Sequence, residues 1–456
     1  MIDKIIKRIN EKRNLMITGG GGVGKSYIIN QLKEKFPKDL VITSTTGISA
    51  IPLKAMTIHK WSGIGIAQAI SDLSEHEIKS MGYTKASERI RKCKKLIIDE
   101  VSMLKAGQLD LLDLIFRSIK DPKKPFGGIQ IILVGDFLQI SPVDQEEREL
   151  LYCFQAEAYQ KADFEVINLT KVWRQSDLRF IGMLNSLRYG HYNQAIEENF
   201  IPRELSNPVI LCAKNSSVDK INMLKLAECK GKDIFLNGIL AGTNNKEMYN
   251  LLDGVLSPLE LHLRVGCSVM ITINERVYDD DRVSESKLPE YVNGTMGTFL
   301  GMRTRQSTRF KYKENVQEVC IWEDNEAVIV NRHLGDLIEI NEAVIKTNDN
   351  RIIYVPKNKW TYGEGRLDMK KGEIDYEALF IQYPLRLGYA VTIHKSQGMS
   401  LDEVEVDCDG IFCAGQLYVA VSRARTLEGL SVKNLKPKHL ITDHRAIEFY
   451  KQLGDQ

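Results

Sequence analysis

Residues Leu15 to Phe36 read LMITGGGGVGKSYIINQLKEKF, a short apolar run that meets a glycine cluster and continues at helical spacing. Gly19 to Ser26 fit G-x-x-x-x-G-K-[ST]. The strand before and the helix after are the context that separates a phosphate-binding loop from a flexible glycine turn. Glycines let backbone N–H groups curl around phosphate oxygens, and the helix N-terminus favours negative charge. Gly19, Gly20, Gly21, Gly22, Val23 and Gly24 are therefore expected to cradle a nucleotide. Lys25 is expected to reach its β- and γ-phosphates, and Ser26 to ligate Mg²⁺.

Such a loop needs a parallel sheet behind it, and the sequence supplies the strands. LVITS, KLIIDE and IQIILVGD are short, branched apolar runs typical of strands buried on both faces. A second region of this kind is read from Phe164 (FEVINLT) through PVILCAKN to EVEVDCDG and LSVKN. Between them, from Leu261 to Tyr383, alternating segments such as SVMITIN, EVCIWED and RIIYVP are separated by Gly, Asn and Asp. That texture predicts a small antiparallel β domain inserted into the second α/β domain.

Acids at strand ends are the next signal. A carboxylate there costs desolvation unless it meets a cation or hydrogen-bond donors. In LIIDE, Asp99 suits a Mg²⁺-organising role and Glu100 a base that aligns attacking water. In ILVGDFLQISPV, Gly135, Asp136 and Gln139 end a further strand, and Gln139 is a candidate sensor of the γ-phosphate. Read alone, that stretch is equally an ordinary strand-to-loop junction.

Composition narrows the class. The chain has 456 residues, 43% of them hydrophobic, enough for about three domains at roughly 150 residues each. No run of ~18 apolar residues is present, so no membrane span is expected. The N-terminus is charged and lacks the apolar core of a signal peptide. Eight cysteines are scattered without a C-x-x-C pair, so neither a structural zinc site nor a disulfide framework is expected. The chain reads as a soluble protein of a reducing compartment. A net charge of +2 neither argues for nucleic acid nor excludes it, because a local basic groove is what matters.

LIIDEVSML followed by KPFGGIQIILVGDFLQISPV resembles the stretch joining the second and third helicase motifs of the petite-integration-frequency (PIF) family. That family belongs to the 5′-to-3′ branch of helicase superfamily one. STTGISA (Ser44 to Ala50) and MTIHKWSGIGI (Met56 to Ile66) resemble its first DNA-contacting loops, and LTKVWRQ (Leu169 to Gln175) its fourth motif. YPLRLGYAVTIHKSQGMSLD (Tyr383 to Asp402) resembles the fifth motif, GQLYVAVSRARTLEGL (Gly415 to Leu430) the sixth, and HRAIEFYKQL the closing helix. The resemblance covers nearly the whole chain in one order, apart from parts of the region between Met302 and Leu379.

The resemblance implies an α/β fold of two RecA-like parallel-sheet P-loop domains, with a small antiparallel β-barrel domain inserted in the second. The implied first ATPase domain is 1–163, with a wedge-like segment at 63–92. The second is 164–260 and 384–435, the inserted β domain 261–383, and 436–456 a C-terminal helical tail. ATP would lie between the two domains with Lys25, Glu100 and Gln139 on one side. Arg174 and Arg423 would reach the γ-phosphate from the second domain, and Gly398 would join the nucleotide-binding set. Mg²⁺ would be held by Ser26 and Asp99. A DNA track would run over Thr45, Thr46, Gly47, Thr57, His59 and Trp61, then over Asn215, Thr392, His394 and Lys395. Such hydroxyl, amide and lysine groups suit phosphate and sugar contacts that position a strand without reading it. Trp61 is equally a base-stacking platform or a core aromatic. The basic run ERIRKCKK reads as a solvated face.

The implied activity is ATP-dependent 5′-to-3′ translocation on single-stranded DNA with duplex unwinding, in replication, repair or recombination. Alternatives are a RecD-like motor subunit of a nuclease complex and an ATP-gated clamp or remodeller that does not unwind. Implied partners are single-stranded and forked DNA, with single-strand-binding or replication proteins beside them. The chain is expected to act as a monomer inside the cell: nuclear in a eukaryote, otherwise cytoplasmic or virus-encoded. The family pattern also has an adenine-reading glutamine upstream of the loop. None stands among the eighteen residues before Gly19, so either nucleotide choice is relaxed or another group, such as a backbone carbonyl near Asn10 to Asn14, reads the adenine in its place.

Overall fold

Alternate residues of each apolar run face opposite sides of one sheet. In the computed structural model the described residues are 1–50, 53, 55–64, 84–141, 152–243, 245–273, 291, 293–307, 319–323, 326–330, 338–362, 366–368, 373–375 and 378–454. Six strands, β1 (Leu15–Thr18), β2 (Leu40–Ser44), β3 (Met56–Thr57), β4 (Lys95–Asp99), β5 (Gln130–Gly135) and β6 (Glu165–Asn168), pair in the order β3-β2-β4-β5-β1-β6. All five pairings are parallel.

Met16, Leu96, Ile98, Ile131 and Leu133 enter one core with the helix Ala106–Ile119. Their neighbours Leu15, Ile17, Ile97, Ile132 and Val134 enter the other, with the helices Ile2–Asn10 and Lys25–Lys35. Full burial of each such side chain contributes about 1.5–3 kcal/mol, so both faces must be covered. The functional ends of β1, β4 and β5 are thereby held in one plane.

The chain folds into two compact units: Met1–Val218 with Val391–Gln456, and Asp219–Ala390. The first unit also contains a second sheet. In it Val209–Cys212 lies between Ala390–Thr392 and Val404–Asp407, with Leu430–Lys433 outermost. Val404–Asp407 pairs in parallel with both its neighbours.

Three expectations about boundaries are corrected. FEVINLT does not open the second domain: Glu165–Asn168 is β6, paired in parallel with β1 in the first sheet. Its apolar residues satisfy either sheet, and the open edge of β1 decides. Residues 219–260, assigned to the second α/β domain, belong to the inserted unit instead. The strand Asp233–Asn237 there pairs antiparallel with Glu260–Arg264. The C-terminal segment is no tail, because Ala446 and Tyr450 of the helix His444–Gln452 are fully buried in the first sheet's core.

The other unit is antiparallel. Its largest described sheet runs Ile352–Pro356, Ile338–Thr347, Met296–Ser307, Ser268–Ile271, Leu385–Leu387, with every pairing antiparallel. Its core is built on Leu261, Val269, Phe299, Ile345, Ile353 and Leu385. Of the wedge-like segment, 65–83 lie outside the described residues. The helix Lys85–Lys92 that follows caps its neighbour, because the Arg89 guanidinium donates to the carbonyls of Lys60 and Trp61 at 3.0–3.2 Å. That arginine of the basic run is thus tied to the fold. No described helix is long and apolar enough to cross a membrane.

Candidate nucleotide and nucleic-acid site

β1 ends at Thr18, and the chain turns sharply into the helix Lys25–Lys35. Gly24, with φ +91°, is that helix's N-cap, so the unpaired N–H groups of its first turn face back over the loop. Gly22 is held twice over. Its φ is +78°, and a Cβ there would lie 2.6 Å from Cβ of Arg174. The Lys25 Nζ donates to the carbonyls of Gly19 (2.6 Å) and Gly20 (2.9 Å). Burial pulls its ammonium below the ordinary value, against the attraction of Asp136, Glu100 and Asp99.

The two acids of LIIDE stand at the end of β4. Burial and the neighbouring Glu100 push Asp99 up to about 7. Burial likewise raises Glu100, against Lys25 and Arg423. A buried and a half-buried carboxylate on neighbouring residues call for a cation, and this donor set fits a divalent metal ion.

Arg174 and Arg423 approach from the far side of the loop. Arg423 is 2% exposed, and its guanidinium donates to Val419 O (2.8 Å), to Ser422 Oγ (2.8 Å) and at longer range to Ser396 O and Met399 O. A Cβ on Gly21 would lie 3.4 Å from its Nη2. Arg174 donates from Nη1 to Ser422 O at 2.9 Å, while its buried Nε has no partner. Burial lowers the basicity of both, and for Arg423 the adjacent Arg174 lowers it further. Gln175 joins them through Ser422 O (3.2 Å) and Ala424 O (2.7 Å). Arg174 was expected on the second domain. It lies instead on the segment leaving β6, where Trp173 N–H donates to Gly22 O at 2.8 Å.

Behind the loop is a polar cluster that sequence reasoning missed. Asp136 is fully buried and pairs with Arg188 at 3.0 Å. It also accepts from the Tyr450 hydroxyl (2.9 Å) and from Gln139 Nε2 (3.4 Å). Burial would raise its carboxyl, but Arg188 and Lys25 hold it below the usual range. The Tyr450 hydroxyl also meets Thr18 Oγ1 and accepts the Phe137 N–H. Tyr418 accepts the Gly21 N–H at 2.7 Å. A buried strand-end aspartate signals that some cation must meet it, yet sequence does not say which. A cavity of about 810 Å³ opens beside Gly20, Gly21, Gln175, Arg188 and Tyr418.

The expected nucleic-acid residues fall into different circumstances. Thr45 is bound to the backbone at the end of β4: its N–H donates to Asp99 O (3.1 Å) and its Oγ1 to Glu100 O (2.7 Å). Thr46 meets Ser49, and Gly47 opens the short helix Gly47–Ala50. Thr57 caps the helix Ile58–Ser62. His59 faces Gln108 at 3.0 Å, and Gln108 Oε1 already accepts the Lys105 N–H, so the amide donates and His59 Nε2 accepts. Burial favours that neutral ring. Trp61 is a correction. It is 4% exposed and meets Phe116 edge-on at 5.8 Å, so its ring fills the core and is closed to a base.

Asn215 is exposed at the start of the helix Asn215–Glu228. Thr392 is buried, and its Oγ1 accepts the Lys395 N–H. His394 is half-buried and stacks on Phe412 at 6.5 Å. Gly398 is exposed, in the turn between Ser396 and Met399, whose carbonyls face Arg423.

Residues 1–198 match the family described as PIF1-like helicase. Over 509 aligned residues the chain is 33% identical to the ATP-dependent DNA helicase RRM3 of Saccharomyces cerevisiae, covering 99% of this chain and 67% of that protein. Among solved structures it resembles the Pif1 helicase of Candida albicans, with TM-score 0.71 and 29% identity over 99% of this chain and 98% of that one. It also resembles Bacteroides Pif1 in complex with ADP-AlF3 and ssDNA, with TM-score 0.61 and 26% identity over 100% and 97%. The chain spans about half to two thirds of the length of the curated relatives it matches. Identity at this level across nearly the whole chain, on a fold shared from end to end, makes the chain a member of the PIF1-like helicase family.

Proposed function

We propose that this chain is an ATP-dependent DNA helicase that moves 5′ to 3′ along single-stranded DNA and unwinds forked duplexes. The observation that carries the reading is a pair of arginines beside the phosphate loop, Arg423 buried and Arg174 half-buried with its Nε enclosed. Among the described residues neither Arg174 nor Arg423 forms an ion pair, and their partners are neutral carbonyls and a hydroxyl. Two such charges are costly to bury unpaired. A triphosphate seated on Gly19–Ser26 supplies the missing anion, and arginines so placed stabilise the charge of the transition state.

In this reading Lys25 holds the terminal phosphates, Glu100 aligns the attacking water, and Gln139 and Gly398 complete the pocket. Ser26 and Asp99 hold Mg²⁺, which neutralises phosphate charge when bound. Thr45 carries the coupling. Its two hydrogen bonds to the Asp99–Glu100 backbone tie the strand-gripping loop to the acids, so a change at one is felt at the other. Thr46, Gly47, Thr57, His59, Asn215, Thr392, His394 and Lys395 line the track, contacting backbone rather than bases. The names of the relatives and the ligands in the related structures point the same way.

The test is unwinding of duplexes that carry only a 5′ or only a 3′ single-stranded tail. Strand separation from the 5′-tailed substrate alone is expected. Separation from the 3′-tailed substrate alone would overturn the direction. Stimulation of ATPase by single strands without any unwinding would make the chain a clamp or remodeller.

A further inference from the structure

Tyr418 stands five residues before Arg423 in the helix Gln416–Val421, and its ring is 4% exposed. Its hydroxyl oxygen accepts the Gly21 N–H at 2.7 Å. A Cβ on Gly20 would lie 3.0 Å from that oxygen, and one on Gly21 3.5 Å. Arg423 Nη2 and Ser422 Oγ approach the same Gly21 position, each at 3.4 Å. The hydroxyl therefore rests against the start of the loop, on the side from which Arg423 comes. Lys25 marks that end too, since its Nζ bonds the Gly19 and Gly20 carbonyls, and the lysine of such a loop serves the outer phosphates.

The phenol is also kept as a donor. Burial and the nearby Asp136 push its ionisation upward, so it stays protonated. Its oxygen already accepts from Gly21, and among the described residues its proton has no hydrogen-bond acceptor. The Tyr418 hydroxyl and the Arg423 guanidinium converge on Gly21, and two such donors beside a phosphate loop suit an anion.

We propose that Tyr418 is a specificity-determining residue that reads the third phosphate, donating its hydroxyl proton to a γ-phosphate oxygen while its own oxygen steadies the Gly21 amide. The proposal rests on Gly19–Ser26 being the ATP site. A diphosphate places no oxygen at that end of the loop, so Tyr418 separates ATP from ADP. The motor needs that distinction if binding is to close the site and loss of phosphate is to release it.

The experiment is equilibrium binding of fluorescently labelled ADP and of a labelled β,γ-imido ATP analogue, with Mg²⁺, to the unaltered chain and to Tyr418→Phe. The substitution removes one hydroxyl and keeps the ring. Affinity for the imido analogue is expected to fall about tenfold or more, the size of one hydrogen bond to a charged acceptor, with affinity for ADP within about twofold of unaltered. The ratio of the two affinities is the readout. A partly unfolded preparation lowers the amplitude of both signals but alters neither dissociation constant of the folded fraction, so a change in the ratio still reports on the hydroxyl. An unchanged ratio, with both affinities reduced or neither, would overturn the proposal by reducing Tyr418 to a support for Gly21. Tighter binding of the imido analogue would overturn it by making the hydroxyl a competitor for the Gly21 amide. Failure of the unaltered chain to bind either nucleotide would instead remove the ATP site on which the proposal rests.

Discussion

Asp136 meets no solvent, and Arg188 is its charge partner at 3.0 Å. Removing one member of such a pair leaves an uncompensated buried charge, at a cost of about 3–5 kcal/mol. Arg188→Met is expected to destabilise the chain by that order. Adding Asp136→Leu should recover much of the loss, since an apolar replacement of a whole buried pair is often neutral. Denaturant unfolding of the single and double variants decides it; a double variant as unstable as the sum of its parts would contradict a paired role. Lys25 makes a different prediction. Its ammonium bonds the Gly19 and Gly20 carbonyls, and its electrostatic neighbours are Asp136, Glu100 and Asp99. Lys25→Ala is expected to abolish ATP hydrolysis while leaving affinity for single-stranded oligonucleotides largely intact. Turnover at the unaltered rate by a pure preparation would remove Lys25 from the site.

The closing helix His444–Gln452 is the element whose importance exceeds its size. Asp443 caps it, accepting the Arg445 N–H at 2.9 Å. Its Ala446 and Tyr450 are fully buried in the first sheet's core, although its chain arrives directly from the second sheet. The Tyr450 hydroxyl is shared by Thr18, Asp136 and Phe137, on β1 and just beyond β5. Tyr450→Phe leaves those partners short of a hydrogen bond and is expected to cost about 1–3 kcal/mol. Tyr450→Ala adds a cavity and should cost about 3–5 kcal/mol, as for other large aromatics. Thermal or urea melts of the two variants separate the contributions. If Tyr450→Phe matches the unaltered chain, the hydroxyl network is incidental to the fold. The amphipathic pattern HRAIEFYKQL makes this helix readable in sequence, but the surface it covers is not.

For the whole molecule, the proposed track consists of hydroxyls, one amide, two imidazoles, a glycine and a lysine, with the one expected indole withdrawn into the core. Binding to single strands should therefore be dominated by phosphates. Affinity is expected to fall steeply as salt rises, linearly in log–log form, and to change little between oligonucleotides of different sequence at fixed salt. Fluorescence anisotropy over a salt series measures both. A strong preference for one sequence at constant salt would mean that bases are read by residues outside this set.

Local pattern determined a good deal of this protein. The glycine loop with its flanking strand and helix, the two-sided apolar strands and the strand-end acids Asp99, Glu100 and Asp136 all follow from interactions between near neighbours in the chain. The sequence order of motifs also brought Arg174 and Arg423 into consideration before any geometry was known. Tertiary structure alone decided where Glu165–Asn168 pairs, because an apolar strand fits any open parallel edge and the edge of β1 lies far back in the chain, at Leu15–Thr18. It decided that Trp61 belongs to the core, since an aromatic after a loop is exposed or buried according to whether a partner such as Phe116 stands over it. It also chose Arg188 and Tyr450 as the partners of Asp136. A buried carboxylate demands donors, but the donors here come from 52 and 314 residues along the chain, and only the folded path brings them within hydrogen-bond distance.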